Sequence, residues 1–147
     1  KNMITKQANE ILKDYNASCL IFKNEELIYI SSYIGVKPLI IFLKEHSSLA
    51  KEDNLLLVDK VIGRAAALLA AKIGIKNIIT PIMSQEALEV VDYYSINYQE
   101  EKMVPYIINR QGTGRCPLEA SVINTLDLDE AVKNIQGAID ILMKAQS

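Results

Sequence analysis

Two features of the chain predict an α/β domain with helices on both faces of its sheet. Short apolar runs alternate with segments whose apolar side chains recur every three or four positions, the pattern of strands separated by amphipathic helices. The run Asn54-Leu55-Leu56-Leu57-Val58 shows no polar alternation, as expected of a strand covered on both faces in a parallel or mixed sheet.

Each element follows from local chemistry. Ile4, Ala8, Ile11, Leu12 and Tyr15 share one face and predict a helix over 4–15. Ala17 to Lys23 and Leu27 to Ser32 read as two strands of a hairpin across Asn24-Glu25-Glu26. A second helix is predicted from Pro38, favoured at a first turn, to His46. The Asn54–Val58 strand leads through Asp59-Lys60-Val61-Ile62-Gly63-Arg64 into an alanine-rich helix that Gly74 ends. Ile75 to Thr80 begins a further strand, and Ser84-Gln85-Glu86 can cap a helix that turns Ala87, Leu88, Val91 and Tyr94 inward. Ile96 to Glu100 and Val104 to Asn109 read as two more strands. Pro117 opens a short helix through Val122 with Cys116 at its N-cap. Asp127, with Glu130 three residues on, starts a long terminal helix striped by Leu128, Ala131, Val132, Ile135, Ile139, Leu142 and Met143.

Bulk properties narrow the function classes. A chain of 147 residues is expected to form one domain with a full hydrophobic core. The net charge of -2 argues against a dedicated nucleic-acid binder, which needs clustered Lys and Arg. The apolar run Pro38-Leu39-Ile40-Ile41-Phe42-Leu43 falls far short of the ~20 residues of a membrane span. The first residues are polar, without the apolar core of a secretion signal. Cys19 and Cys116 make no disulfide framework, so a cytoplasmic setting is expected.

Chemistry concentrates in Asn109-Arg110-Gln111-Gly112-Thr113-Gly114-Arg115-Cys116-Pro117-Leu118-Glu119. The glycines permit backbone conformations other residues resist, and Arg110 and Arg115 can grip a phosphate or carboxylate together with backbone N–H groups. A sulfur at a helix N-cap beside arginines is in an environment that favours thiolate. Cys19, inside an apolar strand, reads instead as a small buried hydrophobe. Glu119 falls in the first helical turn, where a capping box is its natural use, with acid or base catalysis the alternative. Asp59 and Lys60 lie at the carboxyl end of a buried strand, the usual ligand crevice of an open α/β sheet. Asp59 is read mainly as the cap of the alanine-rich helix. Gly63 is read as a helix-interior glycine kept for a close approach of backbone or ligand. His46, at a helix end, is read as structural.

The segments Leu57-Val58-Asp59-Lys60-Val61-Ile62-Gly63-Arg64-Ala65-Ala66-Ala67 and Arg110 to Glu119 resemble the two motifs of a small uncharacterised prokaryotic family, a domain of unknown function on the cytidine-deaminase-like fold. The resemblance spans nearly the whole chain. It implies a three-layer α/β/α sandwich with a mixed sheet of about five strands and a site at the two motifs, without a reaction. True deaminases hold Zn²⁺ through an H-x-E-type motif and P-C-x-x-C. Here the corresponding helices begin Gly35-Val36-Lys37-Pro38-Leu39 and Val58-Asp59-Lys60-Val61-Ile62-Gly63, so zinc-dependent deamination is not expected, nor any cofactor.

Three functions follow, in order of preference. The first is binding of a small anionic or nucleotide-like ligand by Arg110, Gly112, Thr113, Gly114, Arg115, Asp59 and Lys60. The second is a metal-independent enzyme with Cys116 as nucleophile or acid/base and Glu119 assisting. The third is a non-catalytic interaction or scaffold protein. The expected partner is a small molecule, with neither nucleic acid nor membrane, and self-association is left open.

Overall fold

The computed structural model describes residues 7–46 and 54–146 of the chain. A mixed sheet sits between helices. The strands are β1 (Cys19–Lys23), β2 (Glu26–Ser31), β3 (Leu55–Asp59), β4 (Val61–Ile62), β5 (Asn77–Ser84) and β6 (Asn97–Val104), and the helices α1 (Ala8–Asp14), α2 (Lys37–Glu45), α3 (Arg64–Ile73), α4 (Leu88–Tyr93), α5 (Pro117–Ala120) and α6 (Leu128–Gln146). The β1–β2 hairpin turns on Asn24 and Glu25, both at positive φ, the conformation of a tight primed turn. β1 runs antiparallel to β3, while β3, β4 and β6 are all parallel to β5. β3 and β4 follow β5 in one continuous register, Val58 opposite Ile79 and Val61 opposite Ile82, so they act as one strand interrupted at Lys60. Counted that way, the sheet has the five positions expected, in the order β2, β1, β3/β4, β5, β6.

Two apolar clusters fill the layers. Ala8, Ile11 and Leu12 of α1 cover one face over Leu20, Val58 and Ile79. The other face carries Ile21, Leu57, Ile62, Ile78 and Met83 against α2, α3 and α4, with α6 lying on α3 through Ala131 and Ile135. Leu57 and Ile62 are an odd number of positions apart, yet both face this core, as do Ile78 and Met83. Side chains of a strand alternate, so β3/β4 and β5 must switch phase together between those residues. The switch falls at Asp59-Lys60 and Thr80-Pro81.

That switch explains two departures from expectation. β5 continues through Pro81 to Ser84 instead of ending at Thr80, because Thr80 supplies the local bonds itself: its hydroxyl donates to the Ile82 carbonyl at 3.0 Å and accepts the Ile82 N–H at 3.3 Å. Asp59 does not cap α3; it is the last residue of β3, β4 intervenes, and Gly63 is the N-cap. Further on, one strand replaces the expected pair. β6 runs from Asn97 to Val104, and Ile108 makes only an isolated bridge to Arg115. Glu100, Glu101 and Lys102 are tolerated within β6 because it is an edge strand.

Other boundaries agree closely with the sequence pattern. Gly74 closes α3 at φ 100°, a left-handed conformation suited to glycine. The Asp127 carboxylate accepts the Glu130 N–H at 2.9 Å at the start of α6. Ser84 precedes a single 3-10 turn (Gln85–Ala87) but makes no side-chain cap bond. The predicted start of the first helix at Ile4 lies outside the described residues.

Candidate functional site

The carboxyl ends of β3/β4, β5 and β6 point to one edge of the sheet, and both sequence motifs lie along it. What joins the motifs is a carboxylate. Glu119 reaches from α5 to the start of α3, where Oε1 accepts the Arg64 N–H at 2.7 Å and Oε2 the Ala65 N–H at 3.0 Å. A negative group is favoured there because free N–H groups and the helix dipole converge on it. Gly63 makes the approach possible: a Cβ at that position would lie 2.6 Å from the Glu119 oxygens. Burial pushes the Glu119 carboxyl up, while the two N–H bonds pull it down. Gly63 is thus a close-approach glycine, as expected, but at the N-cap and against a side chain from the other motif.

Arg64, which the sequence reading left without a role, is the centre of this region. The residue is 3% exposed, and its guanidinium donates to the carbonyls of Val122 (2.7 Å), Thr125 (2.6 Å) and Glu86 (3.2 Å), and to Glu89 Oε1 (2.7 Å). The Glu89 side chain is largely exposed, so that ion pair is worth little. The three carbonyls matter more, because a buried guanidinium needs its donors satisfied. One arginine therefore fastens the segments after α5 and after β5 to the start of α3. No periodicity or spacing signals this, since an arginine after a glycine reads as solvent-facing.

Around that clasp the loop 107–116 forms a small hairpin. Cys116 N donates to Ile107 O (3.0 Å), and Asn109 N to Gly114 O (2.8 Å). The Asn109 side chain closes the tip, its Oδ1 accepting from Thr113 N and its Nδ2 donating to Thr113 Oγ1, both at 3.0 Å. Gly112 turns the tip at φ 73°. Arg115 is held at the base: Nη2 lies 2.5 Å from Glu86 Oε2, and the guanidinium stands 4.9 Å from the centre of the Tyr106 ring. Arg110 sits exposed at the tip and makes no ion pair among the described residues.

The remaining predicted residues fall as follows. Cys116 is half-buried at the N-cap of the four-residue α5. Lys60 is exposed, whereas Asp59 is buried against the Cys19 thiol and the backbone N–H groups of Lys60 and Val61. Burial pushes its carboxyl up to about 8. Glu119 is thus brought to the α3 clasp and Arg115 to Glu86 beside it, while no bond among the described residues links Asp59, Arg110 and Cys116. Glu119 does not close a box on its own helix; both its oxygens serve α3. His46 stacks on Phe42 with ring centres 4.2 Å apart. An open depression lined by Val91, Asp92, Ser95, Asn97 and Tyr98 lies at the start of β6, away from these loops. Among the described residues no helix is long and apolar enough to cross a membrane.

These features define a mixed α/β sandwich whose two motifs meet through a glycine–glutamate contact beside a buried arginine. The chain belongs to the TM1506 family, a domain of unknown function (DUF1893), whose model matches residues 7–139. It is similar to the crystal structure of a DUF1893 family protein (TM1506) from Thermotoga maritima. The two share 25% identity over 88% of this chain and 86% of that one, with a TM-score of 0.77. No curated protein matches the chain.

Proposed function

We propose that this protein binds a small anionic or nucleotide-like ligand, without zinc, at the carboxyl edge of a cytidine-deaminase-like sandwich. One observation carries the reading: the 107–116 hairpin holds Arg110 at an exposed tip whose turn is already locked by Asn109 and Thr113. On an ordered loop, gripping a phosphate or carboxylate with a guanidinium spares the cost of ordering the backbone. The Gly112-Thr113-Gly114 backbone and Arg115 form the rest of that loop, and Lys60 adds a second exposed cation at the same edge. Asp59, turned inward, supports the Lys60 corner from beneath. The net charge of -2 favours a small molecule over nucleic acid as the partner, and the setting proposed is the cytoplasm.

The enzyme alternative rests on Cys116 at its N-cap. It is less favoured because both Glu119 oxygens are engaged by α3, which leaves the sulfur without its assisting carboxylate. A thermal-shift panel of nucleotides and anionic metabolites tests the preferred reading. A binder present at a hundred times its dissociation constant should stabilise the fold by ~2.7 kcal/mol. Arg110→Ala should remove that shift. A panel that moves nothing, or a shift that survives Arg110→Ala with Arg115→Ala, would overturn it.

A further inference from the structure

We propose that Asp59 is a proton-controlled latch: neutral, it holds the Asp59–Val61 corner closed over Cys19, and ionised, it releases that corner to solvent. The proposal is independent of the ligand reading. It starts from register. Cys19 is paired with Ser31 on β2 and with Asp59 on β3, so the three side chains form one row across three strands. All three are buried, Cys19 completely and Asp59 with 6% exposure. The next row inward on β1 and β3, Ile21 with Leu57, is wholly apolar. A carboxyl has therefore been set into the face that carries the main core.

Among the described residues no cation balances a charge there, and only the Lys60 and Val61 N–H groups and the Cys19 thiol bond the carboxyl. Cys19 is the titratable group that touches Asp59, and it offers a weak donor, not a cation. On β2, Tyr29 donates its hydroxyl to the Pro38 carbonyl. From α2, the Lys37 ammonium lies 4.1 Å from the centre of the Tyr33 ring. From α3, Arg64 is committed to Glu86, Glu89, Val122 and Thr125. On β5, the Thr80 hydroxyl is tied to Ile82. Lys60, next in sequence, is exposed. Among the described residues no ion pair reaches the carboxyl. A buried carboxyl without a cation stays neutral until pH forces it, which accords with its rise to about 8.

The place where it gives way is set by the backbone. Asp59 ends β3 at the phase switch, and Lys60 is outside the ladder with β5. The corner is fastened to the residue just before β1 through Lys60 N–H donating to the Ser18 carbonyl at 3.2 Å, and Val61 is 38% exposed. Opening a short corner of this kind needs far less than global unfolding. Water then reaches the carboxylate, and with it Cys19, whose thiol burial and Asp59 together push up.

The test follows alkylation of Cys19 by iodoacetamide in the intact protein, read by peptide mass spectrometry, with Cys116 as internal reference. Thiolate formation alone makes a rate rise about tenfold per pH unit below the thiol's own titration. If opening also requires loss of the Asp59 proton, labelling of Cys19 should rise about a hundredfold per unit between about pH 6 and pH 7.5. Asp59→Asn should return it to about tenfold. A tenfold slope in the unaltered protein, or an unchanged steep slope in the variant, would overturn the latch. Amide exchange at Lys60 and Val61 in the unaltered protein decides the matter should the variant not fold. The same extra steepness confined to this corner supports local release, and steepness shared by every core amide refutes it.

Discussion

A helix usually takes its cap from the residue just ahead of it; α3 takes a carboxylate from Glu119, 55 positions further along the chain. The arrangement depends on Gly63 having no side chain. Gly63→Ala is therefore expected to lower the unfolding free energy by about 2 kcal/mol, the scale of overpacking a tight site, measured by urea titration. Glu119→Ala should also destabilise, because it strands two N–H groups, but the double variant should cost less than the sum, since both changes break one contact. Strict additivity would show that the two residues act separately. The glycine's need for space was legible in the sequence, because a glycine read inside a helix has a recognisable cost, although its place at the N-cap was not. Its partner was not: nothing in the spacing of 63 and 119 tells which side chain fills the gap. Arg64 was hidden for a related reason. Its partners are mostly backbone carbonyls, and carbonyls have no residue type to recognise.

At the scale of elements, periodicity gave α2, the β1–β2 hairpin and α6 closely, and the ends of α1 and α3, since each has one apolar face and a clear boundary there. It failed where a strand breaks its own alternation. β5 crosses Pro81 because Thr80 replaces the missing bonds, and β3 yields to β4 at the same level. Beyond β6, the segment read as another strand enters a short hairpin held by two backbone bonds and, at its tip, by the Asn109 side chain. Its order can be tested directly. Asn109→Ala removes two exposed hydrogen bonds, each worth about 1 kcal/mol at most in water. The melting temperature should move by only a few degrees while amide exchange at Thr113 accelerates. Unchanged exchange would mean that the turn is held by its backbone alone, and the tip would lose its claim to be ordered by Asn109.

For the whole molecule, two apolar clusters share one sheet, so neither can dissolve without exposing the other. Unfolding should follow a single cooperative transition by both far-ultraviolet circular dichroism and tyrosine fluorescence; separate transitions would contradict a single domain. Stability should also depend on pH in a definite sense. Asp59 and Glu119 are both pushed up in the fold, so the folded state holds protons that the unfolded chain releases. Their contribution is present in full at acid pH and is lost as pH rises, for Asp59 from about 4 to about 8 at up to about 1.4 kcal/mol per unit. Asp129, lowered by Lys72, has the opposite sense but is fully exposed. Urea midpoints that rise across this interval in the unaltered protein would contradict the burial of the two acids. By itself the sequence determined the class of fold, most of the elements and the two segments where polar chemistry gathers, because periodicity and turn residues act over a few positions. The tertiary structure alone decided that Glu119 caps α3, that Arg64 fastens three segments and that Asp59 turns inward beside Cys19. Those outcomes depend on which strands lie side by side and in what register, and register is set by packing of the whole sheet.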